Sequence, residues 1–189
     1  SLSWDTKDPA ELRTPRGASL YVDGVHFDDV IQNQLGDCFL LASLSALAAV
    51  RPEAIQNAIT ENADGTFTVR FYEKQKRGPP TPVDITIDAD LPAKKSGELL
   101  YASGRDRKEL WPALIEKAWA TWKGGYSELS LGGFAGDAGA APTHGDAHMR
   151  GLQGRGVVDA VAGHGHHLAA GLQGLHQTQF LGGRDAGAD

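Results

Sequence analysis

The chain holds a single cysteine, Cys38, in the stretch Gln-Asn-Gln-Leu-Gly-Asp-Cys-Phe-Leu-Leu-Ala-Ser-Leu-Ser-Ala-Leu-Ala-Ala-Val over residues 32–50. This order of residues places the sulfur where a loop becomes a helix. Gly36 can adopt backbone angles closed to other residues, Asp37 is a favoured helix N-cap, and the twelve residues after Cys38 are nearly all good helix formers. Cys38 is therefore expected in the first turn of a helix. The unpaired amides and positive dipole end at such a position favour the thiolate and can bring a thiol pKa well below about 8.5. That is the chemistry of a sulfur nucleophile. The blander reading of a lone cysteine among apolar residues is an inert core side chain, and position alone leaves both open.

The elements that would position this sulfur follow from periodicity. The helix behind Cys38 is apolar on every face, interrupted by Ser43 and Ser45, so it is expected to lie buried in the middle of a domain. It is shorter than the roughly 20 apolar residues that a bilayer crossing needs. Residues 1–18 are polar, carry Pro9 and Pro15, and read as a flexible lead-in; Leu20-Tyr21-Val22 reads as a short strand closed by Asp23-Gly24. Pro52 opens a second, amphipathic helix reaching Asn62, with Ile55, Ala58 and Ile59 on one face. Residues 66–72 and 83–88 alternate, with Phe67, Val69 and Phe71 on one inward face and Val83, Ile85 and Ile87 on the other, which predicts a hairpin. Residues 89–97 read as loop. Residues 109–123 form the clearest amphipathic helix, with Leu110, Trp111, Leu114, Ile115, Ala118, Trp119 and Trp122 as its apolar set and Gly124-Gly125 as its stop.

Gln32, Gly36, Asp37 and Cys38, with the apolar helix behind them, resemble the active-site segment of the calpain-type cysteine peptidases, Gln-Gly-x-x-Gly-Asp-Cys-Trp. Asn33 stands where that pattern has glycine and Phe39 where it has tryptophan. Asn also accepts unusual backbone angles, and Phe keeps an aromatic beside the sulfur. A second patch, Glu-Leu-Trp-Pro-Ala-Leu-Ile-Glu-Lys-Ala-Trp from Glu109 onward with Gly124-Gly125-Tyr126 after it, is similar to another run of the same family. The resemblance implies an α+β, papain-like fold whose helical first subdomain has a central buried helix and a small β-hairpin. It implies that Cys38 is the nucleophile, that the Gln32 amide and the Cys38 N–H donate to an oxyanion, and that the substrate is a protein or peptide. Calpains bind calcium through an aspartate nine residues before the nucleophile. Asp29 holds that position and Glu109 is a second candidate calcium carboxylate. Without the resemblance, Asp29 reads as a solvated loop carboxylate and Glu109 as a helix-opening one.

The likeness covers residues 20–136, within a catalytic subdomain read as residues 19–136. From Asp137 the composition breaks: there is no lysine, glutamate, tyrosine, tryptophan or isoleucine, and six of the seven histidines appear there. Residues 137–189 read as a Gly/Ala/His-rich low-complexity tail that is expected to be disordered, and as a truncated or frame-shifted continuation of the family sequence. The second catalytic subdomain, which in this family supplies a histidine and an asparagine, is not recognisable, and no asparagine follows Asn62. The His164, His166, His167 cluster lacks the ligand spacing of a metal site. A net charge of −6 without a basic patch argues against nucleic acid, and one cysteine excludes an internal disulfide. No membrane run, signal peptide or lipidation motif is apparent, so a cytoplasmic setting is the default expectation. Three functions emerge: a cysteine endopeptidase lacking part of its machinery, a catalytically inactive or protein-binding module of the same fold, and a redox thiol. The last has no resolving cysteine.

Overall fold

The computed structural model describes residues 11–132. Its elements run β1 (Glu11–Arg13), a 3-10 turn (Phe27–Asp29), α1 (Cys38–Val50), α2 (Pro52–Ala58), β2 (Ile59–Glu61), β3 (Phe67–Glu73), β4 (Thr81–Ile87), β5 (Leu91–Ala93), α3 (Trp111–Lys123) and α4 (Tyr126–Ser130). The architecture is mixed helix and sheet, as expected for α+β. Strands β2, β3 and β4 form one antiparallel sheet in chain order, and β1 pairs with β5 in a second.

The hairpin follows its alternation. Phe67, Val69 and Phe71 on β3 stand opposite Ile87, Ile85 and Val83 on β4, and the other face carries Thr68 opposite Thr86 and Arg70 opposite Asp84. On that outer face the threonine hydroxyls lie 3.0 Å apart and Arg70 grips Asp84 with two bonds of 2.7 Å. A slip of one residue would turn the apolar set to solvent, so burial fixes the register. Helix α3 covers the inner face: Phe71 meets Trp119 edge-on at 5.4 Å and stacks on Trp122 at 5.3 Å. Such aromatic pairs add about 0.5–1.5 kcal/mol each beyond the area they bury.

Helix α1 stops at Arg51 because the residue before a proline is driven from helical angles, here to φ −151°, ψ 65°. Pro52 then starts α2 across a bend of 116°. Leu40, Leu41, Leu44, Leu47 and Ala48 are buried, whereas Cys38, Ala49 and Val50 are exposed and Ala42, Ser45 and Ala46 are half-buried. The helix is thus buried along one side and not all round. Its two serines are placed by the backbone: Ser43 donates to the Phe39 carbonyl at 2.7 Å, and Ser45 to the Phe27 carbonyl at 2.6 Å, tying α1 to the 3-10 turn. Among the described residues no single helix is long and apolar enough to cross a membrane.

Several expectations are corrected. Glu11–Arg13, within the stretch read as lead-in, is strand β1, because Glu11–Arg13 finds the free edge of Leu91–Ala93. That pairing also makes β5 from residues expected to be loop. Leu20-Tyr21-Val22 is not a strand; the pairing there is a single parallel bridge between Ser19 and Glu109. The second helix ends at Ala58, and Ile59–Glu61 leaves it to pair with β3, where β-branched Ile59 and Thr60 sit well. Helix α3 begins at Trp111, with Pro112 in its first turn, so Glu109 precedes it. Residues 111–120 of α3 are all buried, including Glu116 and Lys117, which an amphipathic reading places at the surface. Lys117 reaches the Asp88 carboxylate at 2.5 Å and the Asp90 carbonyl at 2.6 Å. The low-complexity tail lies outside the described residues.

One glycine is required by space. A Cβ on Gly104 would stand 2.7 Å from the Glu109 Cβ and 2.8 Å from the carbonyls of Asp106 and Glu109. Gly104→Ala is expected to destabilise the fold by about 1–3 kcal/mol, read as a lower urea midpoint at unchanged m-value. An unchanged midpoint would show that the turn before α3 yields freely.

Candidate active site

The loop before α1 is held by its backbone to residues 100–105. Ile31 and Ser103 exchange two N–H bonds of 3.0 and 3.1 Å, the Gln34 amide donates to the Leu100 carbonyl at 3.1 Å, and the Arg105 amide donates to the Asp29 carbonyl at 2.9 Å. Asn33 adds a side-chain staple: its Nδ2 donates to the Tyr101 carbonyl at 2.5 Å and lies 3.3 Å from the Ser103 hydroxyl. The residue expected to serve by tolerating unusual backbone angles serves instead as a donor, and its φ is not positive. Gly36 is corrected in the same way. It has no positive φ either, and a Cβ there would stand 3.2 Å from the Ser130 carbonyl, so the constraint is the close approach of α4.

Cys38 is the first residue of α1 and is exposed. The Leu40 amide is already taken up by the Asp37 carbonyl at 2.9 Å, whereas the Cys38 and Phe39 amides have no carbonyl one turn back within the helix, and the positive dipole end lies at the sulfur. Gln32 lies in the preceding loop, where its Nε2 donates to the Leu35 carbonyl at 2.7 Å. That bond fixes the amide plane and uses one of the two Nε2 hydrogens. Phe39 is half-buried against the core. Asp37 is the N-cap by position, but its side chain makes no capping bond. It is fully buried and turned inward, toward Glu116 of α3.

Asp29 and Glu109 are brought together. They are 3% and 1% exposed, and their carboxyl groups adjoin. Asp29 Oδ2 accepts the His26 amide at 2.7 Å, and Glu109 Oε1 accepts the Val22 amide at 3.0 Å. Both line a cavity of about 610 Å³ with Val22, Asp23, His26, Asp28, Arg105 and Asp106. Arg105 pairs with Asp28 at its rim. Burial pushes the Glu109 carboxyl up, and the charges of Asp29 and Asp106 raise it further against the bond from Val22. Among the described residues no three His, Cys, Asp or Glu side chains converge as a ready-made metal cage. His26, the one histidine among the described residues, lies in this cavity with its ring against the Asp23 carbonyl at 2.9 Å.

Sequence reasoning missed Glu116, which appeared only as one letter of a family-like run. It is 1% exposed and both its oxygens accept the Ala102 amide at 3.0 Å. The available signal was a charged residue flanked by apolar ones on every helical neighbour, which is a weak pointer. Gly104 was missed because steric demand from a backbone neighbour leaves no mark in a single sequence.

The sequence model for the calpain family of cysteine proteases matches residues 2–152, and the chain belongs to that family. It is 38% identical over 129 residues to calpain clp-1 of Caenorhabditis elegans, covering 66% of this chain and 16% of that protein. It is 37% identical over 117 residues to calpain-A of Drosophila melanogaster, and 34% over 116 residues to the human calpain-2 catalytic subunit, each covering 59% of this chain. The matched regions make up only 13% and 16% of those two relatives.

The Glu109 shift carries a pH signature. A carboxyl raised in the folded state holds stability that is complete below its unfolded value of about 4.3 and is lost as pH rises through the folded value. In chelator, Glu109→Gln is expected to flatten this decline while keeping the Val22 bond, as read by urea midpoints across pH. An identical pH dependence in both proteins would refute the shift.

Proposed function

We propose that this chain carries the nucleophile half of a calpain-type cysteine endopeptidase site, built on a papain-like first subdomain. The observation that carries the reading is an exposed Cys38 at the first position of α1, with the Gln32 amide held in the loop before it. In this reaction the sulfur attacks the carbonyl carbon of a peptide, and the oxyanion receives hydrogen bonds from Gln32 Nε2 and the Cys38 amide. The amine leaves with a proton, and water then releases the acyl group. A histidine must carry that proton and an asparagine must orient it. His26 lies in the acidic cavity, bonded to Asp23, and no asparagine follows Asn62. These observations favour the second reading for this polypeptide alone: a catalytically inactive or protein-binding module of the peptidase fold.

Two electrophiles separate nucleophile from oxyanion hole. Iodoacetamide displacement forms no oxyanion, whereas an activated peptidyl ester does. Gln32→Ala is expected to slow Cys38 acylation by the ester on the order of 10²-fold and to leave alkylation by iodoacetamide unchanged. Equal slowing of both would mean that Gln32 only shapes the loop. Cys38→Ser is the blank, and a thiol inert to both reagents in the folded chain would end the nucleophile reading.

Asp29 and Glu109 would hold a calcium ion, since two adjoining buried carboxylates in a polar cavity suit a hard cation with oxygen ligands. When bound, the ion would neutralise their repulsion and stiffen the loop that leads to Cys38. Calcium is expected to raise the melting temperature of the chain, and Asp29→Asn is expected to abolish the rise. A shift that survives Asp29→Asn would place the ion elsewhere.

A further inference from the structure

Beneath the first turn of α1 lies a pair of groups that the proposed chemistry does not use. Asp37 is 0% exposed and Glu116 is 1% exposed, and their carboxyl groups stand within hydrogen-bonding reach of each other. Glu116 accepts the Ala102 amide with both oxygens at 3.0 Å. Neither oxygen of Asp37 meets a donor among the described residues. Lys117, next to Glu116 in sequence, is turned away to Asp88 and Asp90. Two ionised carboxylates in contact repel strongly at the low dielectric of a core. A proton held between them turns the same contact into a short, charge-assisted hydrogen bond.

We propose that Asp37 and Glu116 share one proton and so clasp the N-terminal turn of α1 to α3, making them positioning residues for Cys38. The positioning role rests on the peptidase reading above; the shared proton does not. Burial raises both carboxyl groups, Glu116 well above its ordinary value, and the neighbouring charge raises Glu116 further. The pair titrates as a unit. The titratable group facing both carboxyls is Tyr126 of α4, whose hydroxyl also lies in the field of Tyr101 and Asp88. Burial pushes the Tyr126 hydroxyl well above its usual range, so it stays neutral. Asp88 is compensated by Lys117. The Asp37 side chain is thereby withdrawn from capping its own helix, and only its backbone carbonyl serves the first turn, taking the Leu40 amide at 2.9 Å.

The sign follows from the raised folded values. In the unfolded chain both carboxyls ionise near their ordinary values of about 3.9 and 4.3, whereas the folded pair keeps a proton above that range. Stability falls as pH rises from the ordinary carboxylate range through the upper value of the pair. Either amide replaces the protonated partner: in Glu116→Gln the new N–H donates to Asp37 while the amide oxygen keeps the Ala102 bond, and in Asp37→Asn the new N–H donates to Glu116.

The test uses the full chain. Infrared spectra of the wild type at neutral pH are expected to show the carbonyl band of a buried carboxylic acid. The band is expected to vanish in both Glu116→Gln and Asp37→Asn, and the pH slope of the urea midpoint to flatten in both. Glu116→Ala is expected to slow Cys38 alkylation several-fold, with Glu116→Gln restoring it. A wild type without the band, a band that survives both amide variants, or unchanged pH slopes would overturn the shared proton. Equal alkylation rates in wild type and Glu116→Ala would overturn the positioning role. If Glu116→Ala does not fold, the two amide variants carry the decision. A band and slope that behave as expected beside an inert Cys38 would support the clasp and remove the nucleophile reading alone.

Discussion

A carboxyl group sealed from water must find partners, and Glu116 finds its partners in the structure that places Cys38. Its oxygens take up the Ala102 amide, and the segment around Ala102 is the backing onto which the 29–34 loop is laid through Ile31, Asn33 and Gln34. The same carboxyl faces Asp37 at the base of α1. One buried side chain therefore meets both the backing of the loop that carries Gln32 and, at Asp37, the point where that loop enters α1. Truncating it would leave the Ala102 amide buried and unpaired, a cost of about 1–3 kcal/mol before any effect on Asp37.

The remainder of the fold keeps α3 where Glu116 can do this. The β3–β4 hairpin offers an apolar face of fixed register, and Phe71 lies against Trp119 and Trp122, one and nearly two turns beyond Glu116. Lys117, about 100° further round the helix, ties α3 to the Asp88–Asp90 turn that leads into β5. Gly124, at φ 104°, ends α3 in the left-handed turn that a glycine adopts at little cost, and α4 then returns its Ser130 carbonyl to Gly36. The acidic cavity is built from the same backbone zipper one step further along, where the Arg105 amide meets the Asp29 carbonyl and Glu109 follows.

The helix-opening cysteine, the hairpin and the tryptophan-rich helix were legible in the sequence because each is a local pattern: a glycine and a capping residue before helix formers, alternation of period two, and an apolar stripe of period 3.6. The pairing of Glu11–Arg13 with Leu91–Ala93 was not, since strands of three residues carry no periodicity and their partners lie far apart in the chain. Asn33 and Gly36 were picked out correctly but for the wrong cause, because a single sequence shows a residue's permissive angles and not the neighbour that approaches it. Glu116 and Lys117 follow the same logic in reverse. Their charge reads as surface, and only the tertiary packing that supplies the Ala102 amide and the Asp88 carboxylate makes burial affordable. Asp29 and Glu109, 80 residues apart, met through family likeness and not through anything in their local sequence.

Three of the four tryptophans, Trp111, Trp119 and Trp122, belong to α3, whereas the sole thiol belongs to the tip of α1. Fluorescence from α3 and a dye on Cys38 thus watch two edges of one packed core, one the aromatic slab on the sheet and the other the tip of α1. Lys123, 3.3 Å above the Trp122 ring, gives the slab a charged neighbour that colours its emission. The molecule comes with a pair of reporters already installed, and once Trp4 is replaced by phenylalanine, energy transfer from the α3 indoles to an acceptor on the sulfur would measure the spacing of α3 and the tip of α1.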